Sequence, residues 1–154
     1  MSFCYINGSY KNNIDALISV EDRGFNFSDG VYEVIGIRKG KLLNLERHMK
    51  RLSKSLIDLQ IRKPFSNQNS LKIIIHHLLK LNDVDDGFIY LQITRGTSKR
   101  NHLFPSQVKP NIVIFTFSKV GLDEIKKGVN IGLTKDQRWM RCDIKSISLL
   151  ANVL

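Results

Sequence analysis

The sequence predicts an α+β fold, and three observations carry the prediction. Strand-like segments open the chain, two apolar stripes with helical spacing fill its middle, and β-branched and aromatic runs return after residue 87. Strands followed by helices followed by strands read as α+β. A chain of 154 residues has room for one domain with a proper core.

The elements follow in order. FCYINGSY reads as a hairpin turning at Asn7-Gly8, the strongest short hairpin signal. FNFSDG is rich in turn formers and is expected to be a loop. In VYEVIGIRKGKLLNL, Val31, Ile35 and Ile37 alternate with other side chains, and Lys39-Gly40 is a second hairpin turn. A helix is expected after Asn44 as N-cap, with Leu45, Met49, Leu52, Leu56 and Leu59 on one face and Pro64 ending it. A second helix spans 69–81, its stripe formed by Leu71, Ile74, Ile75, Leu78 and Leu79. His76 and His77 read as packing or surface residues, since adjacent helical side chains point apart. Residues 87–96 and 111–118 are strands, joined by a long loop of the kind that carries function. Residues 128–135 read as a further strand, and from Ser146 onward as a buried helix.

Composition narrows the class. Apolar content of 42% and charged content of 25% are those of a globular protein. No apolar run reaches bilayer-spanning length, and no membrane role is expected. The start, MSFCYINGSYKNN, shows no basic segment followed by an apolar one, so no secretory signal is expected. Cys4 and Cys142 make no disulfide or zinc framework and read as thiols of a reducing cytoplasm. The net charge of +10 invites a nucleic-acid reading. Its spread over separate short clusters, without a basic tail or an aromatic RNA-binding motif, argues for solvated faces instead.

Four segments together resemble one family. They are EDRGFNFSDGVYEV (21–34), HMKRL (48–52), YLQITRGTSKRNHLFP (90–105) and RWMRCDIKSISLL (138–150). In this order and near this spacing they resemble the class IV, or fold-type IV, pyridoxal-phosphate-dependent aminotransferases, in particular the D-alanine (D-amino acid) aminotransferases. The resemblance covers essentially the whole chain and about half of a family protein. It implies the small N-terminal domain of that fold, an antiparallel sheet with two helices, over 1–120. Residues 121–154 are then an interdomain segment and the truncated start of a larger cofactor-binding domain.

The resemblance also implies site residues and partners. Lys145, in CDIKS, matches the lysine that forms the Schiff base with pyridoxal 5'-phosphate. The residue type suits the chemistry, because a primary amine condenses with an aldehyde, yields to the substrate amine and can then carry a proton. Arg51 matches the arginine that holds the cofactor phosphate, for which a guanidinium offers a rigid fork of donors. Tyr32, Arg100 and His102 match the residues that bind the substrate α-carboxylate, the last two from the partner subunit, so a homodimer is implied. The Arg-x-His pair points to the D-amino acid branch, and hence to amino transfer between a D-amino acid and a 2-oxo acid. Strand alternation sends Glu33 to the face opposite Tyr32, and it reads as structural. Asp22-Arg23 reads as a turn-stabilising ion pair.

Some positions depart from the family pattern. Ser28 stands where Gly is usual, Lys50 where an acid is common, and Ser148 where Asn is usual. The acidic partner of the pyridine nitrogen and much of the phosphate cup have no counterpart to assign. Two alternatives therefore stand beside the transaminase reading. One is a truncated, inactive remnant or half of a split enzyme, its other half on a separate chain. The other is a basic module for nucleic acid or an acidic protein.

Overall fold

The computed structural model describes residues 2–118, 128, 130–136 and 139–154. Among them a six-stranded antiparallel sheet runs in the order Ser9–Asn12, Phe3–Ile6, Asn111–Ser118, Gly87–Thr94, Gly30–Arg38, Lys41–Leu42. The first hairpin, β1 (Phe3–Ile6) and β2 (Ser9–Asn12), turns at Asn7 and Gly8 with φ of 48° and 101°. Positive φ at both turn positions matches the right-handed twist of the flanking strands. The second hairpin joins β3 (Gly30–Arg38) to the two-residue β4 (Lys41–Leu42) through Lys39 and Gly40, again with positive φ. Between the hairpins lies α1 (Arg23–Phe27), where a loop was expected. Asp22 explains it, since its carboxylate accepts the N–H groups of Gly24 and Phe25 and so starts a helix too short to show periodicity.

Two long helices cover one face of the sheet. The first, α2 (Leu45–Asp58), buries Met49, Leu52, Ser55 and Leu56. Asn44 stands at its N-cap but in the left-handed region, φ 51°, and its side chain makes no capping bond. Pro64 does not end the helix. It stops at Asp58, and the chain reverses at Gln60 with φ 54°. The carbonyls of Leu59 and Gln60 are taken by the Arg95 guanidinium at 2.6 and 3.0 Å, which closes the helix end from a distant strand. The second, α3 (Gln68–Leu81), begins with a capping box between Asn67 and Ser70 and buries Leu71, Ile75, Leu78 and Leu79. His76 and His77 are exposed, and His77 packs edge-on against Tyr10.

The central strands β5 (Gly87–Thr94) and β6 (Asn111–Ser118) match their expected runs. Val31, Ile35, Ile37, Ile89, Leu91, Ile93, Ile112 and Ile114 form the sheet side of the core against α2 and α3. The opposite face carries a row of rings, Tyr32 on Tyr90 on Phe115, with ring centroids 5.7 and 4.9 Å apart.

The end of the chain departs from expectation twice. The described residues of 128–135 form no strand, and Ile131 and Leu133 are exposed. The expected helix from Ser146 is only α4 (Leu150–Val153), and Leu150, Val153 and Leu154 are exposed rather than buried. Ser146 and Ile147 instead lie along β3, where Val31 bridges Ser146 and the Ile147 N–H reaches the Gly30 carbonyl at 3.1 Å. The expected boundary near residue 120 lies outside the described residues.

Candidate functional site

Lys145 is held from three sides. Ile144 before it is buried in the core cluster. The Lys145 carbonyl accepts the Tyr32 N–H at 3.1 Å, and its own N–H donates to Ser55 Oγ at 3.1 Å. Its Nζ lies over the Tyr32 ring, 3.9 Å from the centroid, a favourable place for a cation. Among the described residues no carboxylate forms an ion pair with it. A cavity of about 300 Å³ opens here, and Lys145, Tyr32, Arg51 and Trp139 are among the residues that line it.

Arg51 sits on α2 facing β3, and the reason is Glu33. Alternation along β3 places this carboxylate, fully buried, in the apolar row with Val31 and Ile35. Such a group needs partners, and α2 supplies two. Arg51 donates through Nε to Oε1 at 2.8 Å and through Nη2 to Oε2, and His48 Nδ1 lies 2.7 Å from Oε2. The hydrogen bond to Glu33 raises the Arg51 pKa above its ordinary value, opposed by partial burial. A guanidinium carries five N–H donors, so this pairing leaves donors over on a side chain 47% exposed and lining the Lys145 cavity. Glu33 faces away from Tyr32 as the alternation requires. Its grip on Arg51 was signalled by one feature, an acid within an apolar row opposite a helix bearing His and Arg three residues apart.

An exposed ion-pair network fastens the same segment to α2. Lys54 Nζ reaches Asp58 at 2.6 Å and Asp143 at 2.7 Å, and Arg141 Nε reaches Asp143 at 3.1 Å. Hydrogen bonds from Arg141 and then Lys54 hold the Asp143 carboxyl well below its ordinary value of 3.8. A depressed folded pKa gives stability that is present above the unfolded value and lost as pH falls through the folded one. Fluorescence of Trp139, the sole tryptophan, is therefore expected to stay level from neutral pH down to about pH 4 and to change on further acidification. Asp143→Asn should give the altered signal already at neutral pH and remove that acid step. High salt should weaken the same contacts, because they are exposed.

Arg100 and His102 do not line the Lys145 cavity. Both are exposed and converge on Phe27, with the Arg100 guanidinium 5.1 Å and the His102 ring 5.5 Å from its centroid. His102 lines an adjoining cavity of about 310 Å³, which shares Trp139, Ser146 and Ser148 with the first. Their loop is tied down by Arg23, whose guanidinium donates to the Asn101 carbonyl at 2.6 Å and to Asp29 at 2.8 Å. Arg23 thus pairs with Asp29 and not with Asp22, which is occupied in capping α1 and in bonds from Thr94 and Asn111. A cavity of about 660 Å³ lies elsewhere, between Gln60–Arg62 and the Pro105–Pro110 loop. No helix of the described structure is long and apolar enough to cross a membrane, and Cys4 and Cys142 are free thiols, buried and exposed respectively.

The family model of the class IV amino-transferases matches residues 30–154, which include the strand, helix and segment that line this cavity. The chain belongs to this family. A D-alanine aminotransferase of Staphylococcus haemolyticus is 40% identical over 156 residues, which are 100% of this chain and 55% of that protein. The chain therefore spans about 55% of the length of that curated relative. Among solved structures, the Escherichia coli branched-chain amino acid aminotransferase shares the fold with a TM-score of 0.71 at 17% identity, over 77% of this chain and 40% of that one. A second branched-chain amino acid aminotransferase, from T.th. and solved with N-(5'-phosphopyridoxyl)-L-glutamate, gives a TM-score of 0.68 at 19% identity, over 77% and 41%. The sheet and its helices are thus the N-terminal domain of the fold-type IV architecture, and the cofactor of class IV aminotransferases is pyridoxal phosphate.

Proposed function

We propose that this chain serves pyridoxal-phosphate-dependent transamination between a D-amino acid, D-alanine-like, and a 2-oxo acid. One observation supports this most directly. Lys145 Nζ lies over Tyr32, unengaged by any described carboxylate, in a cavity that Arg51 also lines. An amine open to an aldehyde and a guanidinium with donors to spare for a phosphate fit this cofactor. When bound, pyridoxal phosphate supplies an aldehyde that takes up an amino group and a conjugated ring that draws electrons from the neighbouring carbon.

The residues of the chain divide the remaining work. Lys145 would hold the cofactor through its amine and, when that amine is free, would carry a proton at Nζ. Arg51, steadied by Glu33, holds the phosphate through its remaining N–H groups. Tyr32 holds Lys145 from below and presents its hydroxyl to the substrate carboxylate. Arg100 and His102, packed against Phe27 outside this cavity, bind that carboxylate in a second copy of the chain, which makes the working unit a homodimer. Residues 1–120 form the small domain, and 121–154 lead into the cofactor-binding one. The free thiols accord with a cytoplasmic location.

Exposure of Met140, Leu150, Val153 and Leu154 favours a second reading. In it, the face around Lys145 is completed by further polypeptide, on a separate chain in the split-enzyme form, and this chain alone does not turn over.

The test is to incubate the protein with pyridoxal phosphate, reduce with borohydride and map the adduct. A stable label on Lys145, followed by amino transfer from D-alanine to 2-oxoglutarate, is the expected result. Labels scattered over surface lysines would sink the proposal, and a Lys145 label without turnover would select the second reading.

A further inference from the structure

The amine of Lys145 is placed by the backbone that carries it, and one support of that backbone is a buried hydroxyl. Ser55 lies on the face of α2 turned to the core and is 0% exposed. A buried hydroxyl is costly unless bonded, and here its Oγ accepts the Lys145 N–H across 90 residues of sequence. The helix itself gains nothing from serine at this position, since alanine is the better helix former. Ser55 also stands four residues after Arg51, so the two side chains share one face of α2. Lys54, next to it, holds Asp143 on the same segment.

We propose that Ser55 is a positioning residue for Lys145. By holding the lysine's amide it fixes the separation between the Lys145 amine and the Arg51 guanidinium, so that a single turn of α2 sets both ends of the anchoring site. The inference rests on the reading that Lys145 captures the cofactor aldehyde.

The experiment compares the full chain with its Ser55→Ala and Ser55→Thr variants by residue-resolved amide exchange and by borohydride-fixed pyridoxal phosphate. Alanine removes the acceptor and threonine keeps it. In Ser55→Ala the Lys145 amide is expected to exchange about fivefold faster, the scale of one net hydrogen bond. The share of label on Lys145 relative to surface lysines should fall with it, while the far-ultraviolet circular dichroism is unchanged. Ser55→Thr should retain both the slow exchange and the label share. An alanine variant with the parent's exchange rate and label share would overturn the proposal, as would equal losses in both variants. If the parent chain places no label on Lys145, the transamination reading fails, while the hold of Ser55 on the segment is still decided by exchange alone.

Discussion

Replacing Asp29 by alanine is expected to lower the thermal midpoint by about 10–15 °C. Asp29 joins two guanidiniums, Arg23 at 2.8 Å and Arg95 through a two-point contact at 2.7 and 3.0 Å. All three side chains are nearly inaccessible, with exposures of 8%, 4% and 6% for Asp29, Arg23 and Arg95. Removing the central carboxylate strands two buried cations, and breaking such a pair costs about 3–5 kcal/mol. That is a large share of the stability of a domain this size. The damage should spread along defined routes. Arg95 closes the end of α2 and Arg23 holds the loop bearing Arg100 and His102, so both elements should exchange and cleave faster. Asp29→Asn keeps an acceptor but not the charge and should recover less than half of the loss. Asp58→Ala removes one of the two carboxylate partners of the exposed Lys54 and should lower the midpoint far less than either Asp29 variant. A calorimetric scan of the three variants checks the ranking.

Lys145→Ala is expected to abolish the borohydride-stable adduct in that cavity, since no other described residue lining it supplies a primary amine. Arg51→Ala should leave the adduct possible but weaken cofactor binding about 10- to 100-fold, the worth of one charge-assisted hydrogen bond. Lysine is not expected to rescue position 51, because a point charge cannot both engage Glu33 and present a fork to a phosphate. Titration of cofactor absorbance against protein, with thermal midpoints measured alongside, separates lost binding from lost stability. Glu33 keeps His48 as a partner in the Arg51 variant, so the fold should survive.

Much of this architecture was legible because its causes are local. Asn7-Gly8 and Lys39-Gly40 specify their hairpins through two adjacent residues. The stripes of α2 and α3 repeat over several turns, and the alternation of β3 separates Glu33 from Tyr32. What was missed depends on partners distant in the chain. Nothing near Asp58 announces that α2 ends there, because the group that closes it is Arg95, in another element. The short helix α1 depends on Asp22, too brief a signal for periodicity. Residues 146 and 147 look helical by composition, yet the open edge of β3 outcompetes that preference. The candidate residues divide in the same way. Lys145, Tyr32 and Arg51 meet around one cavity, while Arg100 and His102 gather on Phe27, a convergence that their spacing of two did not specify.

The brevity of β4 has a consequence for where this chain tolerates insertion. Two residues of β4 pair with the far end of β3, which leaves the near end, at Gly30–Tyr32, as an unoccupied berth that residues 145–147 take. Added residues at the Lys39-Gly40 tip would lengthen the hairpin away from that berth and leave it intact. Additions between Leu42 and Leu45 that let β4 run on alongside β3 would instead compete for the Tyr32 amide and evict the lysine. One side of a short ribbon can vary freely, and the other is a length limit written in backbone hydrogen bonds.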